Sequence, residues 1–158
     1  MKHDELIKVD ACEEGQKYAG KFATLQEAWD ACERGDWMLW YAGKKTGEPC
    51  GDGRKKLVLA CCEVARLALP YTEDARVLAC IETAEKWAQG KASIEEVQKA
   101  RSAAAYAAAY AAYAAYAAAY AAYAADAAAY AAYDDAARKK TLKAAADIVR
   151  KHYPIIPK

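Results

Sequence analysis

The hydrophobic positions of this chain fall into short helical stripes separated by glycine, proline and capping signals, and beyond residue 100 into one unusual repeat. Over residues 4–20, Leu6, Ile7, Val9, Ala11 and Cys12 are set among charges, a pattern that predicts a short helix stopped near Gly15 or Gly20. Thr24-Leu25-Gln26-Glu27 has capping-box spacing, in which the threonine hydroxyl takes an orphan backbone amide and the glutamate reaches back. The helix it opens is expected to run to about Arg34, with Leu25, Ala28, Trp29 and Cys32 on one face. Gly35 reads as its left-handed stop, and Asp36 as the cap of a short helix carrying Trp37, Leu39 and Trp40.

From Gly43 to Gly53 the glycines, the proline and the polar residues of GKKTGEPCGDG predict a loop. Lys55 to Leu69 then reads as a buried helix stopped by Pro70, and Thr72, Glu73 and Asp74 start the next in favourable dipole sense. Val77, Leu78, Ile81, Ala84 and Trp87 form its stripe, Gly90 closes it, and Ser93-Ile94-Glu95-Glu96 is a second capping box.

From Ala103 to Tyr133 the chain holds alanine, tyrosine and Asp126 alone, with tyrosines at 106, 110, 113, 116, 120, 123, 130 and 133. Alanine is the best helix former, and neither glycine nor proline falls between Lys91 and Tyr153, so a helix is expected throughout. Three tyrosines per ten residues is a period of about 3.3, short of the helical 3.6, so the stripe drifts by about 20° per step. A continuous helix from residue 94 to about 135 would measure on the order of 60 Å. A compact chain of this length has a radius of gyration of about 15 Å, so the helix is expected to project, to bend near Asp126 or Asp134-Asp135, or to pack along an elongated bundle. Its rings either pack against the N-terminal helices or present Tyr113, Tyr116, Tyr120 and Tyr123 as a contact surface. After Arg138-Lys139-Lys140 an amphipathic stripe of Leu142, Ala145, Ile148 and Val149 resumes and ends near Tyr153, leaving a short tail with Pro154 and Pro157 that either docks or stays loose. The architecture expected is a single all-α domain over 1–158, a multi-helix bundle. It comprises packed helices in 1–92, the long Ala/Tyr helix in 93–137 and a C-terminal helix in 138–153.

Composition changes this picture in three ways. Hydrophobic residues are 56% of the chain, but alanine inflates the figure, so the well-packed core is expected before residue 100. With 23 basic and 22 acidic residues the net charge is +1, which removes the electrostatic case for general nucleic-acid or anionic-membrane binding. Alanine gives little insertion energy and Asp126 interrupts the tract, so no membrane span is expected. Six cysteines would suit a secreted disulfide framework, but the opening MKHDELIKVD carries no apolar leader, so a cytoplasmic, reduced chain is expected, with Cys61 and Cys62 as buried thiols.

Little catalytic material is present. There are two histidines, no CxxC, no phosphate-binding glycine loop and no serine elbow, so neither a metal site nor a cofactor is expected. Paired carboxylates such as Glu95-Glu96 sit among alternating charges and read as solvated faces. More specific is Glu33-Arg34-Gly35-Asp36-Trp37-Met38-Leu39-Trp40, where Trp37 and Trp40 share a face. They serve either core packing or an aromatic-walled pocket completed by Arg34 or Asp36. The loop Cys50-Gly51-Asp52-Gly53-Arg54 likewise reads either as a helix cap, with Asp52 or Gly53 at the start, or as a contact loop presenting Asp52 and Arg54.

The succession TLQEAWDACERGDWMLW, RKKLVLACCEVARLALP, IETAEKWAQGKASIEEVQKA, the Ala/Tyr tract and TLKAAADIVRKHYP resembles the alanine-rich immunity proteins of bacteria and phages, over roughly residues 12–154. Such proteins usually alternate tyrosine with aspartate in the tract, whereas tyrosine takes most slots here. The resemblance implies a non-enzymatic protein that neutralises a partner, such as a toxin or host factor, by covering its active site or locking it. No catalytic residue carries over, and Arg34, Asp36, Trp37 and Trp40 are the candidates where ERGDWMLW matches. Two alternatives stand beside this expectation. One is a nucleotide-signal sponge using the tryptophan corner with Arg34 and Arg54, and the other a scaffold in which the partner is a second copy of the chain.

Overall fold

The computed structural model describes residues 4–48, 51–71, 74–104 and 127–158, and the regular elements among them are all helical. The chain is thus an all-α helical bundle, as its patterning predicts. The tyrosine row at 106–123, with Tyr113, Tyr116, Tyr120 and Tyr123, lies outside the described residues, as do Cys50, Thr72 and Glu73. Two compact units divide the chain, Met1–Cys61 with Thr141–Lys158, and Cys62–Lys140.

In the first unit, the one helix predicted over 4–20 is two, α1 (Asp4–Lys8) and α2 (Glu13–Ala19). The break is a Schellman turn: Asp10 adopts φ 58°, its amide donates to Ile7 O at 3.0 Å, and the Ala11 amide donates to Leu6 O at 2.9 Å. Aspartate is one of the few residues besides glycine that tolerates this conformation, so the stop falls at Asp10 and Gly15 lies inside α2.

α3 (Leu25–Asp30) opens with the predicted capping box, Glu27 N donating to Thr24 Oγ1 at 3.1 Å and Thr24 N to Glu27 Oε2 at 3.3 Å. It ends short of the predicted Arg34. The Cys32 amide turns back to Trp29 O at 3.2 Å, and the Arg150 guanidinium donates to Cys32 O and to Trp29 O just past the helix end. A cation at a helix C-terminus satisfies orphan carbonyls and complements the dipole.

α4 (Gly35–Lys45) starts at the residue predicted to stop α3. Gly35 is not left-handed: a Cβ there would stand 2.5 Å from Ala145 Cβ and 2.6 Å from Ala146 N, so glycine is required by the passage of another backbone. That backbone is α8 (Ala127–His152), which runs unbroken through Asp134-Asp135 and through the predicted boundary at 138. Asp36 is not the cap of α4; Arg34 holds that position and Asp36 lies in the first turn. The predicted loop loses its first residues, since Gly43, Lys44 and Lys45 belong to α4. A 3-10 turn at Asp52–Arg54 leads into α5 (Lys55–Ala65), and a Cβ on Gly53 would meet Thr46 O at 2.7 Å, so this loop folds back onto the end of α4.

The core of this unit joins residues far apart in sequence. Met38 and Val149 are fully buried, and Trp29, Tyr41, Leu57, Ala60, Ala146 and Tyr153 close around them. Small side chains at Ala145 and Ala146 are what let α8 approach Gly35.

In the second unit α5 tightens into a 3-10 turn over Arg66–Tyr71 instead of continuing to Leu69. Pro70 lacks an amide and disfavours α geometry before it, and a tighter turn is the local solution. α6 (Ala75–Ala88) is capped by Asp74, which accepts from Arg76 N at 2.9 Å. It closes at Gly90, φ 74°, with a second Schellman pair, Gly90 N to Trp87 O and Lys91 N to Lys86 O. Residues 94–104 form α7, opened by the predicted box in which Ser93 N donates to Glu96 Oε2 at 2.7 Å. Among the described residues of this unit Cys62 and Ile81 are buried, while Leu78, on the predicted stripe, is 37% exposed.

Candidate binding pocket

The turn at Asp10, the early end of α3 and the glycine start of α4 leave an open volume of about 420 Å³ among α1 to α4 in the first unit. Leu6, Asp10, Ala11 and Cys12 come from the Schellman turn and the start of α2, Gly15, Tyr18 and Ala19 from α2 itself, and Leu25, Ala28, Trp29 and Cys32 from α3 and its exit. α4 supplies Asp36, Trp37, Met38, Trp40 and Tyr41, and the C-terminal tail adds Ile156. The predicted stripe of α3 therefore forms one wall, and the tryptophan corner another.

The rings are braced against one another. Trp37 packs on Tyr18 with centroids 5.8 Å apart at 60°, and Trp29 on Tyr41 at 6.1 Å and 59°. Tilted pairs of this kind add to the energy of area burial and fix ring orientation. Three of the rings carry a cation from the same element or its cap: Arg34 lies 4.2 Å from the Trp37 centroid, Lys44 5.5 Å from Trp40 and Lys45 5.7 Å from Tyr41.

Arg34 and Asp36 meet as a fork, Nε to Oδ1 at 2.9 Å and Nη2 to Oδ2 at 2.7 Å. This bond holds the Asp36 carboxyl below its ordinary range and raises Arg34. Burial pushes the Tyr41 phenol up to about 12, and nearby Glu5, to which it donates at 3.4 Å, adds to the shift. Burial likewise raises the Cys32 thiol and the Tyr18 phenol. At neutral pH the wall therefore presents neutral rings, a protonated buried thiol and a compensated carboxylate.

The tail is tied down by α3. Gln26 donates through Nε2 to Pro154 O at 3.1 Å and accepts from Ile156 N at 2.8 Å, while Trp29 Nε1 donates to Tyr153 O at 2.9 Å. Of the two fates open to the tail, it docks.

Of the residues singled out from sequence, Asp36, Trp37 and Trp40 line this pocket and Arg34 braces two of them. Asp52 and Arg54 are elsewhere: Asp52 pairs with Lys55 at 2.7 Å, and Arg54 Nε donates to Gly47 O at 2.8 Å, so both pin their own loop. Tyr18, Tyr41, Met38, Leu6 and Ile156 were not singled out. Tyr41 carried a signal, lying four residues after Trp37 on the same helical face; Ile156 carried none.

Cys12, Cys32, Cys61, Cys62 and Cys80 are thiols. Cys61, expected to be buried, is solvent-facing, whereas Cys62 is buried and donates to Ile81 O at 3.7 Å. Among the described residues no group of three His, Cys, Asp or Glu side chains is placed to hold a metal ion, and no helix is long and apolar enough to cross a membrane. The fold and the pocket together define an all-helical protein with an aromatic-walled apolar cavity. No protein-family model, curated protein or solved structure matches the chain.

Proposed function

We propose that this chain is a non-enzymatic binding protein that sequesters a small apolar molecule in the pocket of its first unit. One observation carries the reading: about 420 Å³ of open volume walled by Trp29, Trp37, Trp40, Tyr18 and Tyr41. Ligand pockets typically span about 300–1,000 Å³ and are mostly apolar with a few polar groups. A ligand burying roughly 300 Å² of apolar surface gains about 7–8 kcal/mol at about 25 cal/mol per Å². That gain alone corresponds to a micromolar affinity, and association costs leave it weaker. The wall holds no lysine or arginine, Arg34 is engaged by Asp36 and Arg54 by Gly47 O, so the anion contacts a nucleotide signal needs are not offered there.

A second reading, the immunity-type inhibitor that binds a partner protein, draws on large apolar residues left exposed in or next to the wall. Trp40 is 39% exposed, and Ile7 and Ile155, at 40% and 70%, adjoin the wall residues Leu6 and Ile156 in sequence. The two readings differ in what fills the cavity.

Titration of the purified chain with the neutral dye N-phenyl-1-naphthylamine tests the first, with energy transfer from tryptophan as the signal. Saturable one-to-one binding is expected, weakened at least tenfold by Leu25→Trp, which fills the cavity, and by Trp40→Ala, which removes a half-exposed wall. Binding that does not saturate, or that both substitutions leave unchanged, overturns it.

A further inference from the structure

We infer that the pocket selects uncharged aromatic molecules of two to three rings, fused or linked, and rejects their anionic counterparts. This rests on the small-ligand reading above and specifies its chemistry. An apolar cavity of about 150 Å³ holds one benzene ring; 420 Å³ has room for a fused pair or a linked three-ring skeleton.

The polarity of the ligand follows from how many of the wall's own polar groups are spent, the Trp37 and Trp40 indoles and the side chains of Asp10 and Cys12 aside. Trp29 Nε1 donates to Tyr153 O, Tyr18 OH to Ala28 O at 3.3 Å, Tyr41 OH to Glu5, and the Cys32 thiol to Arg34 O at 3.7 Å. The Ala11 carbonyl is taken by Gln16 Nε2 at 2.7 Å, and both Asp36 oxygens accept from Arg34. A polar atom on the ligand would leave water without finding these partners free, at a cost of about 1–3 kcal/mol, and a charged one would lose more. No basic side chain lines the wall to receive an anion, and of its two carboxylates Asp36 is neutralised by Arg34, so Asp10 sets the sign of the bias. Arg34, the nearest compensating cation, is folded onto Asp36 and the Trp37 ring.

The test is a matched pair of dyes with one ring skeleton, N-phenyl-1-naphthylamine and its anionic relative 8-anilinonaphthalene-1-sulfonate, titrated into the intact chain at pH 7. The neutral dye is expected to bind at least tenfold more tightly. Asp36→Asn releases Arg34 and removes a negative charge, so it should narrow that ratio at least threefold while circular dichroism confirms an unchanged helical melt. A sulfonate that binds as tightly as the neutral dye, or a ratio that Asp36→Asn leaves in place, overturns the inference while leaving a binding pocket standing. Absence of saturable binding by either dye overturns both the inference and the reading beneath it.

Discussion

The two units are held in different ways. In Met1–Cys61 with Thr141–Lys158, side chains from α1 through the tail share one apolar cluster around Met38 and Val149, and a charged residue of α8 finishes α3. In Cys62–Lys140 the described contacts are of shorter range: a cap at Asp74, a Schellman turn at Gly90, a capping box at Ser93, and, between neighbouring elements, the Arg66–Glu85 fork at 2.8 and 3.0 Å. Local signals start and stop helices in both units. A pocket arises in the first, where long-range packing overrules some of those signals and leaves rings lining a space.

The sharpest way to break this comparison is to add one methyl group in each unit. Gly35→Ala drives a Cβ into Ala145 and Ala146, and a loss of about 2–4 kcal/mol is expected in urea denaturation. Gly90→Ala meets nothing within 4 Å and pays for its φ of 74° alone, about 1 kcal/mol. Equal losses would mean that packing does not distinguish the units.

Next in size is the pair of arginines. Arg150→Met leaves the Cys32 carbonyl without its donor and takes one of two from the Trp29 carbonyl, which keeps the Cys32 amide, and a loss of about 1.5–3 kcal/mol is expected. Arg66→Met breaks a partly exposed ion pair with Glu85, which solvent screens, and should cost less than Arg150→Met. The same denaturation curves read both.

A further effect lies in alkali. The Tyr41 phenol is raised to about 12 by burial first and Glu5 second, so between the ordinary tyrosine range near pH 10 and pH 12 the unfolded chain releases a proton that the folded chain keeps. Its contribution is fully present below about pH 10 and fades as pH rises through 12. Stability of the parent chain should therefore fall more steeply across that window than that of Tyr41→Phe, by on the order of 1–2 kcal/mol. Parallel curves from pH 9 to 12 would show that Tyr41 is not held in a protonation-sensitive environment.

Much of this molecule was readable residue by residue. The Thr24 and Ser93 capping boxes, the stop at Gly90, the apolar face of α3 and the shared face of Trp37 and Trp40 depend on groups three to five positions apart, where helix geometry alone sets who meets whom. Tertiary structure decided the rest. It brought Arg150 onto the carbonyls at the end of α3, made Gly35 a point of close approach for α8, and set Ile156 in the pocket wall through Gln26. These contacts join residues more than a hundred positions apart, and no periodicity along the chain records which of many compatible side chains will arrive there. Local geometry thus determined which segments are helices, and the competition among distant side chains for the same carbonyls and the same space determined that a cavity lies between them.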